Sequence, residues 1–295
     1  MSSDANAADP LPAVVIAVLT YRRPRDIRDV LPMLAEQAHS VADRARTRIL
    51  VVDNDPDAAA RQAVAAAATA TDVPIVYVHE PVPGISAGRN RALDASEADD
   101  LLVFIDDDER PTAGWLAALL ELQARTGCTA VAGPVESRFE VEPDAWIVAG
   151  RFFERRRPET GTVLDVAATN NILLDLHRVR AWGLRFDAGF GSTGGEDTLF
   201  TRAVVANGGL MLWSAEARVL DIVPRVRVTR RWVVLRAMSS GNSWSRTTLA
   251  LSPTGGHRAV ARLSLTARGS MRMAGGLAGI AAGAAGWGLG RRARG

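Results

Sequence analysis

Leu101-Leu102-Val103-Phe104-Ile105 runs directly into Asp106-Asp107-Asp108-Glu109. Five consecutive apolar side chains fit a strand covered on both faces, the way parallel sheets are built. Four adjacent carboxylates repel one another and resist dehydration, so they end the strand at the rim of the sheet. Two readings of the rim are open. It is a solvated turn, or it is a set of oxygen ligands for a divalent cation such as Mg²⁺ or Mn²⁺.

The same pattern of apolar run and polar stop recurs upstream. Val14–Leu19 predicts a first strand, stopping in Thr20-Tyr21-Arg22-Arg23-Pro24. Ile27, Val30, Leu31 and Leu34 then fall at helical spacing over residues 26–38, with Pro32 as an interruption. Arg48–Val52 predicts a second strand stopping at Asp53-Asn54-Asp55-Pro56, and an alanine-rich helix follows over residues 57–70. Ile75–Val78 predicts a third strand, then the loop Pro81–Gly88 and a helix from about Arg89. Strands alternating with helices predict an α/β domain with a mostly parallel sheet, whose ligands bind outside the carboxyl ends of the strands. No glycine fingerprint of a dinucleotide fold follows the first strand, and no phosphate-loop motif ending in glycine and lysine occurs, because the chain has no lysine.

Farther on, Trp115, Leu116, Leu119, Leu120 and Leu122 mark an amphipathic helix over residues 114–127, before a strand at Ala130–Gly133. Residues 136–160 are mixed and charged and receive no assignment. Residues 163–174 hold one or two strands around Thr169-Asn170-Asn171. Gly194-Gly195-Glu196-Asp197 opens another helix. Its acids either complement the positive end of the helix dipole or serve chemistry beside glycines that let a substrate approach the backbone.

Charge is distributed unevenly. Residues 1–221 carry 22 arginines against 33 acids, a net of −11, while residues 222–295 carry 13 arginines and no acid. A basic tail on an acidic body predicts an anionic partner, nucleic acid or a membrane surface. No nucleic-acid reading module accompanies the charge, which favours an anionic membrane surface. Residues 258–273 alternate arginine with Val260, Leu263, Leu265 and Met271 at helical spacing, and residues 273–290 are uncharged and rich in alanine and glycine. Eighteen such residues barely reach a membrane span, so an interfacial helix is expected ahead of a span or a packing helix. Residues 1–12 read as a disordered lead-in with no secretory signal, and a lone Cys128 is compatible with a reducing compartment.

Five segments taken together resemble the inverting glycosyltransferases of family 2. They are Val18-Leu19-Thr20-Tyr21-Arg22-Arg23-Pro24, Val51-Val52-Asp53-Asn54, Gly84-Ile85-Ser86-Ala87-Gly88-Arg89-Asn90, Phe104-Ile105-Asp106-Asp107-Asp108-Glu109 and Gly195-Glu196-Asp197. Within the family they look most like the branch that builds bacterial exopolysaccharides of the succinoglycan type. The resemblance implies the nucleotide-diphospho-sugar transferase (GT-A) fold over residues 13–222, with residues 223–295 as a membrane-associating tail. It implies a nucleotide-diphospho-sugar donor, a glycan or lipid-linked acceptor, and Mg²⁺ or Mn²⁺. It also implies a bacterial enzyme at the cytoplasmic face of the membrane. Thr20, Tyr21, Arg23, Asp53, Gly84, Arg89, Asp106 and Asp107 would hold the donor, Asp53 through its base or ribose. Asp108 with Asp106 would hold the metal, and Asp197 would be the general base, with Glu196 beside it as the alternative. Processive members carry glutamine four residues before the tryptophan of an Arg-Trp pair. Here Val228 stands four residues before Trp232, so single-sugar transfer is expected. The rival expectations are a nucleotidyltransferase on the same fold, which would ordinarily show a lysine near the first strand, and an inert nucleotide-sugar-binding module.

Overall fold

The computed structural model describes residues 10–292 apart from 156, 192, 193 and 253, with side chains as far as residue 275. The lead-in before residue 10 lies outside the described residues. The first half alternates as the sequence predicts: β1 (Ala13–Thr20), α1 (Pro24–Ser40), β2 (Arg46–Asp53), α2 (Arg61–Ala68), β3 (Ile75–His79), α3 (Ile85–Asp94) and β4 (Leu101–Asp106). β1 pairs in parallel with both β2 and β4, and β2 with β3.

Period-two alternation in these strands feeds two separate cores. Val14, Ile16 and Val18 face one side with α1, α2 and the later helix α4 (Trp115–Thr126). Val15 and Ala17 face the other side with α3 and two later helices, α6 (Leu176–Ala181) and α7 (Glu196–Ala206). Each fully buried branched or aromatic side chain contributes about 1.5–3 kcal/mol. Burial on both faces is what makes the strands continuous apolar runs, and it leaves polar residues only at the strand ends.

Between α4 and α7 the chain adds β6 (Ala130–Ala132), β7 (Val135–Phe139), α5 (Ala145–Ala149) and β8 (Asn171–Asp175). β5 (Glu109–Pro111) precedes α4, and β9 (Met211–Trp213) and β10 (Val219–Val223) follow α7. Among the described residues, seven strands form a sheet in the order β3-β2-β1-β4-β8-β6-β9, in which β8 runs antiparallel to both neighbours. β5, β10 and β7 form a smaller sheet. The unassigned stretch 136–160 thus supplies a strand and a short helix. Residues 163–174 supply one strand, Val163 making only an isolated bridge to Leu212.

Two helices differ from expectation at their starts. α2 begins at Arg61 because the residues before it are held in a turn: the Ala60 amide donates to Asp53 at 2.9 Å and the Ala58 amide to the Asp55 carbonyl. α3 begins at Ile85, on Gly84 at φ +139°, a backbone conformation that suits glycine alone.

The chain divides into two compact units, residues through Ser240 and residues from Gly241. Val223 and Val233 are buried in the first. α8 (Arg230–Ala250) and α9 (Gly255–Arg292) complete the chain. In α9, Val260, Leu263 and Met271 share one side and are each about two-thirds exposed or more. Among the described residues, no helix is long and apolar enough to cross a membrane.

Candidate active site

β4 and β5 belong to different sheets, and the acidic turn is the hinge between them. Its four carboxylates have distinct surroundings. Asp107 accepts from the Thr20 hydroxyl (2.8 Å) and Arg23 (2.9 Å). Asp108 accepts from the same Arg23 nitrogen (2.9 Å) and from Arg227 (3.4 Å), which lies past the last strand. Glu109 is buried and accepts from the Asn170 amide (2.6 Å) and the Asp106 backbone N–H (3.2 Å). Among the described residues the Asp106 carboxylate takes no hydrogen bond.

Burial sets the protonation of this turn. It pushes Asp106 up to about 7 against the opposing charge of Arg89, with Asp108, Asp107 and Asp197 adding to the rise. It pushes Asp107 up to about 6 against Arg23 and the Thr20 hydrogen bond. Glu109 is raised well above the usual range by burial and by Asp106. Asp221, paired in register with Glu109, is raised by burial and by Asp108. A cluster that resists ionisation in this way favours binding of a cation.

On one side of the turn lie the ends of β1 and β2. Thr20 is buried, and Tyr21 is 46% exposed with Arg22 over its ring. Asp53 is fully enclosed. Its oxygens accept from the Asp55 and Ala60 amides (3.2 and 2.9 Å) and the Tyr77 hydroxyl (3.0 Å). Asp53, expected to touch a base or ribose, is thus held by two amides of its own loop and by Tyr77 of β3. Asn54 stands in the same motif as Asp53 with no role assigned from the sequence, yet it ties this rim together. Its amide donates to the Glu80 and Val82 carbonyls, and its oxygen accepts from the Gly84 N–H at 2.8 Å. Gly84 thus lies at the foot of α3, held to the end of β2.

Arg89, on α3, is buried and pairs through one nitrogen with Glu196 (2.7 Å) and Asp197. Its guanidinium lies 5.4 Å from the centre of the Phe186 ring, which stacks on Phe200. Burial works to lower the Arg89 pKa, but the charges of Asp197, Asp106 and Glu196 prevail and raise it. Asp197 also accepts from the Thr169 hydroxyl at 2.8 Å and the Thr169 amide at 3.3 Å. Glu196 is raised by burial and by Asp197, and its second oxygen is buried without a hydrogen-bond partner. Thr169 and Asn170 reach the site from the turn before β8. Their signal in the sequence was polarity interrupting an apolar stretch. Arg227 carried no such signal, because it lay among many arginines.

Thr20, Arg23, Asp106, Asp107 and Asp108 thus form one group and Arg89, Glu196 and Asp197 a second, linked by the charges of Arg89 and Asp106. Asp53 and Gly84 stand behind the rim, and Tyr21 at its edge. Asp106 and Asp108 are hard oxygen donors of the kind Mg²⁺ and Mn²⁺ take singly or in pairs, with phosphate and water completing the shell. Among the described residues, no three acids, histidines or cysteines are grouped to enclose an ion by themselves.

Residues 15–177 match the family model described as Glycosyl transferase family 2. The succinoglycan biosynthesis protein ExoM of Rhizobium meliloti (strain 1021) is 37% identical over 231 residues, covering 78% of this chain and 74% of that protein. Among solved structures, the mannosyltransferase PcManGT from Pyrobaculum calidifontis, in complex with GDP-Man and Mn²⁺, has a TM-score of 0.62. It is 19% identical, over 93% of this chain and 81% of that one. The S. aureus TarS 1-349 structure in complex with UDP-GlcNAc has a TM-score of 0.56 at 14% identity, covering 72% of this chain and 58% of that one. The two structures share the α/β architecture with a mostly parallel sheet flanked by helices. With more than half its length matched by the family model and more than a third of its aligned residues identical to ExoM, the chain belongs to glycosyl transferase family 2.

Proposed function

We propose that this glycosyltransferase moves a single sugar from a nucleotide-diphospho-sugar to a hydroxyl of a glycan or lipid-linked acceptor, inverting the anomeric centre, in the synthesis of a polysaccharide. The observation that carries this reading is the Arg89 network, which pairs Glu196 and Asp197 on one buried guanidinium that also feels the charge of Asp106 in the acidic turn. Asp197 is the general base. An acceptor hydroxyl needs a carboxylate within hydrogen-bond reach to take its proton, and Thr169 and Arg89 fix the orientation of this one. One base and direct displacement require no covalent sugar–enzyme intermediate.

Asp108 with Asp106 would hold Mg²⁺ or Mn²⁺, and the ion would supply Lewis-acid stabilisation of the departing diphosphate. Arg23 and Arg227, both on Asp108, are the cations adjoining that position. Thr20, Tyr21 and Gly84 form the nucleoside end of the donor site, and Asp53 acts there through the loop it holds. Val228 in place of the processive glutamine supports single transfer.

The tail docks on the anionic cytoplasmic face of the membrane. By helical spacing Arg258 and Arg262 lie on the side of α9 opposite Val260, Leu263 and Met271, and both sides are exposed, an arrangement that suits an interfacial helix. Thermal shift with UDP and GDP, with and without Mn²⁺, tests the donor assignment. Stabilisation by one nucleotide that depends on the ion is expected, and no response to either would refute it.

A further inference from the structure

A cavity of about 550 Å³ lies against the small sheet that continues from the acidic turn. Its lining comes from β7, from α5 and from residues 151–155 and 157. Its position relative to the turn follows from the small sheet. Glu109 pairs with Asp221, and Asp221 with Ser137, which lines the cavity. Two strand spacings put Ser137 about 10 Å from Glu109. Arg155, also on the wall, is near enough for its charge to oppose the raised pKa values of Glu109 and Asp221.

The lining combines flat apolar rings with planar charged groups. Phe152 is 45% exposed and rests on Trp146 with ring centres 4.7 Å apart. Phe153 meets Phe139 edge-on at 5.0 Å and stacks on Trp232 at 5.7 Å, so the first turn of α8 braces this wall. Arg157 pairs with Glu136 at 3.3 Å, and Arg151 with Glu154 at 2.5 Å. Pyranose rings present C–H faces that stack on aromatic rings, and vicinal hydroxyls that donate to carboxylates and accept from guanidinium groups. An acyl chain would desolvate those ion pairs and offer them no hydrogen bond.

We propose that this cavity binds the pyranose oligosaccharide of the acceptor, with Phe152 as its stacking platform and the nearest ring directed toward the acidic turn. The assignment rests on the transferase reading above and adds to it the place and chemical class of the second substrate.

The test is saturation-transfer NMR on the full chain with an equimolar mixture of maltotetraose, cellotetraose and chitotetraose, and separately with octyl glucoside. Ring-proton saturation is expected with the wild type, falling by about fivefold or more in Phe152→Ala. It should return in Phe152→Tyr, which keeps the ring. No ring-proton saturation in the wild type, equal saturation in Phe152→Ala, or saturation confined to the octyl chain would overturn the proposal. Thermal shift with UDP, GDP and Mn²⁺ on the same samples separates the two claims. A nucleotide response without a glycan response overturns only the cavity assignment. No nucleotide response overturns the transferase reading and the acceptor assignment with it.

Discussion

Arg89 and Asp197 are 108 residues apart in the chain and form a buried-to-half-buried ion pair that ties α3 to the start of α7. Glu196 shares the same guanidinium nitrogen at 2.7 Å. Two acids and one arginine in a poorly solvated place are costly unless each charge is met, and Thr169 meets part of what Arg89 leaves. The pair holds the proposed base.

Removing the cation should therefore affect folding before it affects chemistry. Arg89→Met leaves Glu196 and Asp197 adjacent and unpaired, and should lower unfolding stability by about 3–5 kcal/mol. Urea titration followed by circular dichroism reads this directly. A loss below about 1 kcal/mol would mean that the acids are solvated and the pair is incidental.

Thr169 gives a finer probe. Thr169→Val keeps the shape and removes one hydrogen bond to a charged acceptor, worth about 1.5–3 kcal/mol. If the bond orients Asp197, kcat should fall by about tenfold or more with little change in donor KM. A rise in donor KM at constant kcat would place Thr169 on the donor instead.

Asp53→Ala distinguishes a scaffold from a ligand contact. Three hydrogen bonds end on Asp53, from Asp55, Ala60 and Tyr77. Their loss should cost about 3 kcal/mol of stability. Nucleotide affinity, measured by calorimetry under folded conditions, should change far less than stability. Intact stability with abolished nucleotide binding would make Asp53 a direct contact.

Stability should also depend on pH. Asp106 and Asp107 have pKa values in the folded chain of about 7 and about 6, above their ordinary value of 3.8. From about pH 4 to 7 the unfolded chain has lost these protons and the folded chain still holds them, so stability falls as pH rises through that window. Groups with lowered pKa values, such as Asp72 and Asp100, act in the opposite sense but below that window. The melting temperature should rise by several degrees between pH 7.5 and 5.5, and Mn²⁺ should reduce the slope by binding the ionised turn. A melting temperature that falls on acidification over this range would contradict the assignment.

The sheet was legible in the sequence because burial on both faces writes unbroken apolar runs into β1, β2 and β4. β7 and β8 were harder to read. β7 belongs to a small sheet with Ser137 and Arg138 half-buried or exposed, so its pattern is not that of a core strand. β8 is antiparallel within an otherwise parallel sheet, a fact of long-range pairing that no local pattern carries. In the site, the acids announced themselves by clustering, but their partners did not. Asn170 and Arg227 reach the acidic turn, and Thr169 reaches Asp197, from distant segments, and nothing beside them in the chain required it. Asp53 shows the converse: it stands in a recognisable motif, yet its hydrogen bonds turn inward to the loop.

The most direct measurement is Asp197→Asn, an isosteric change that removes the negative charge from the proposed base. The account predicts loss of sugar transfer by about 10²-fold or more, with nucleotide affinity nearly unchanged. Transfer surviving within about tenfold of the wild type would show that another group takes the acceptor's proton, and would contradict the account.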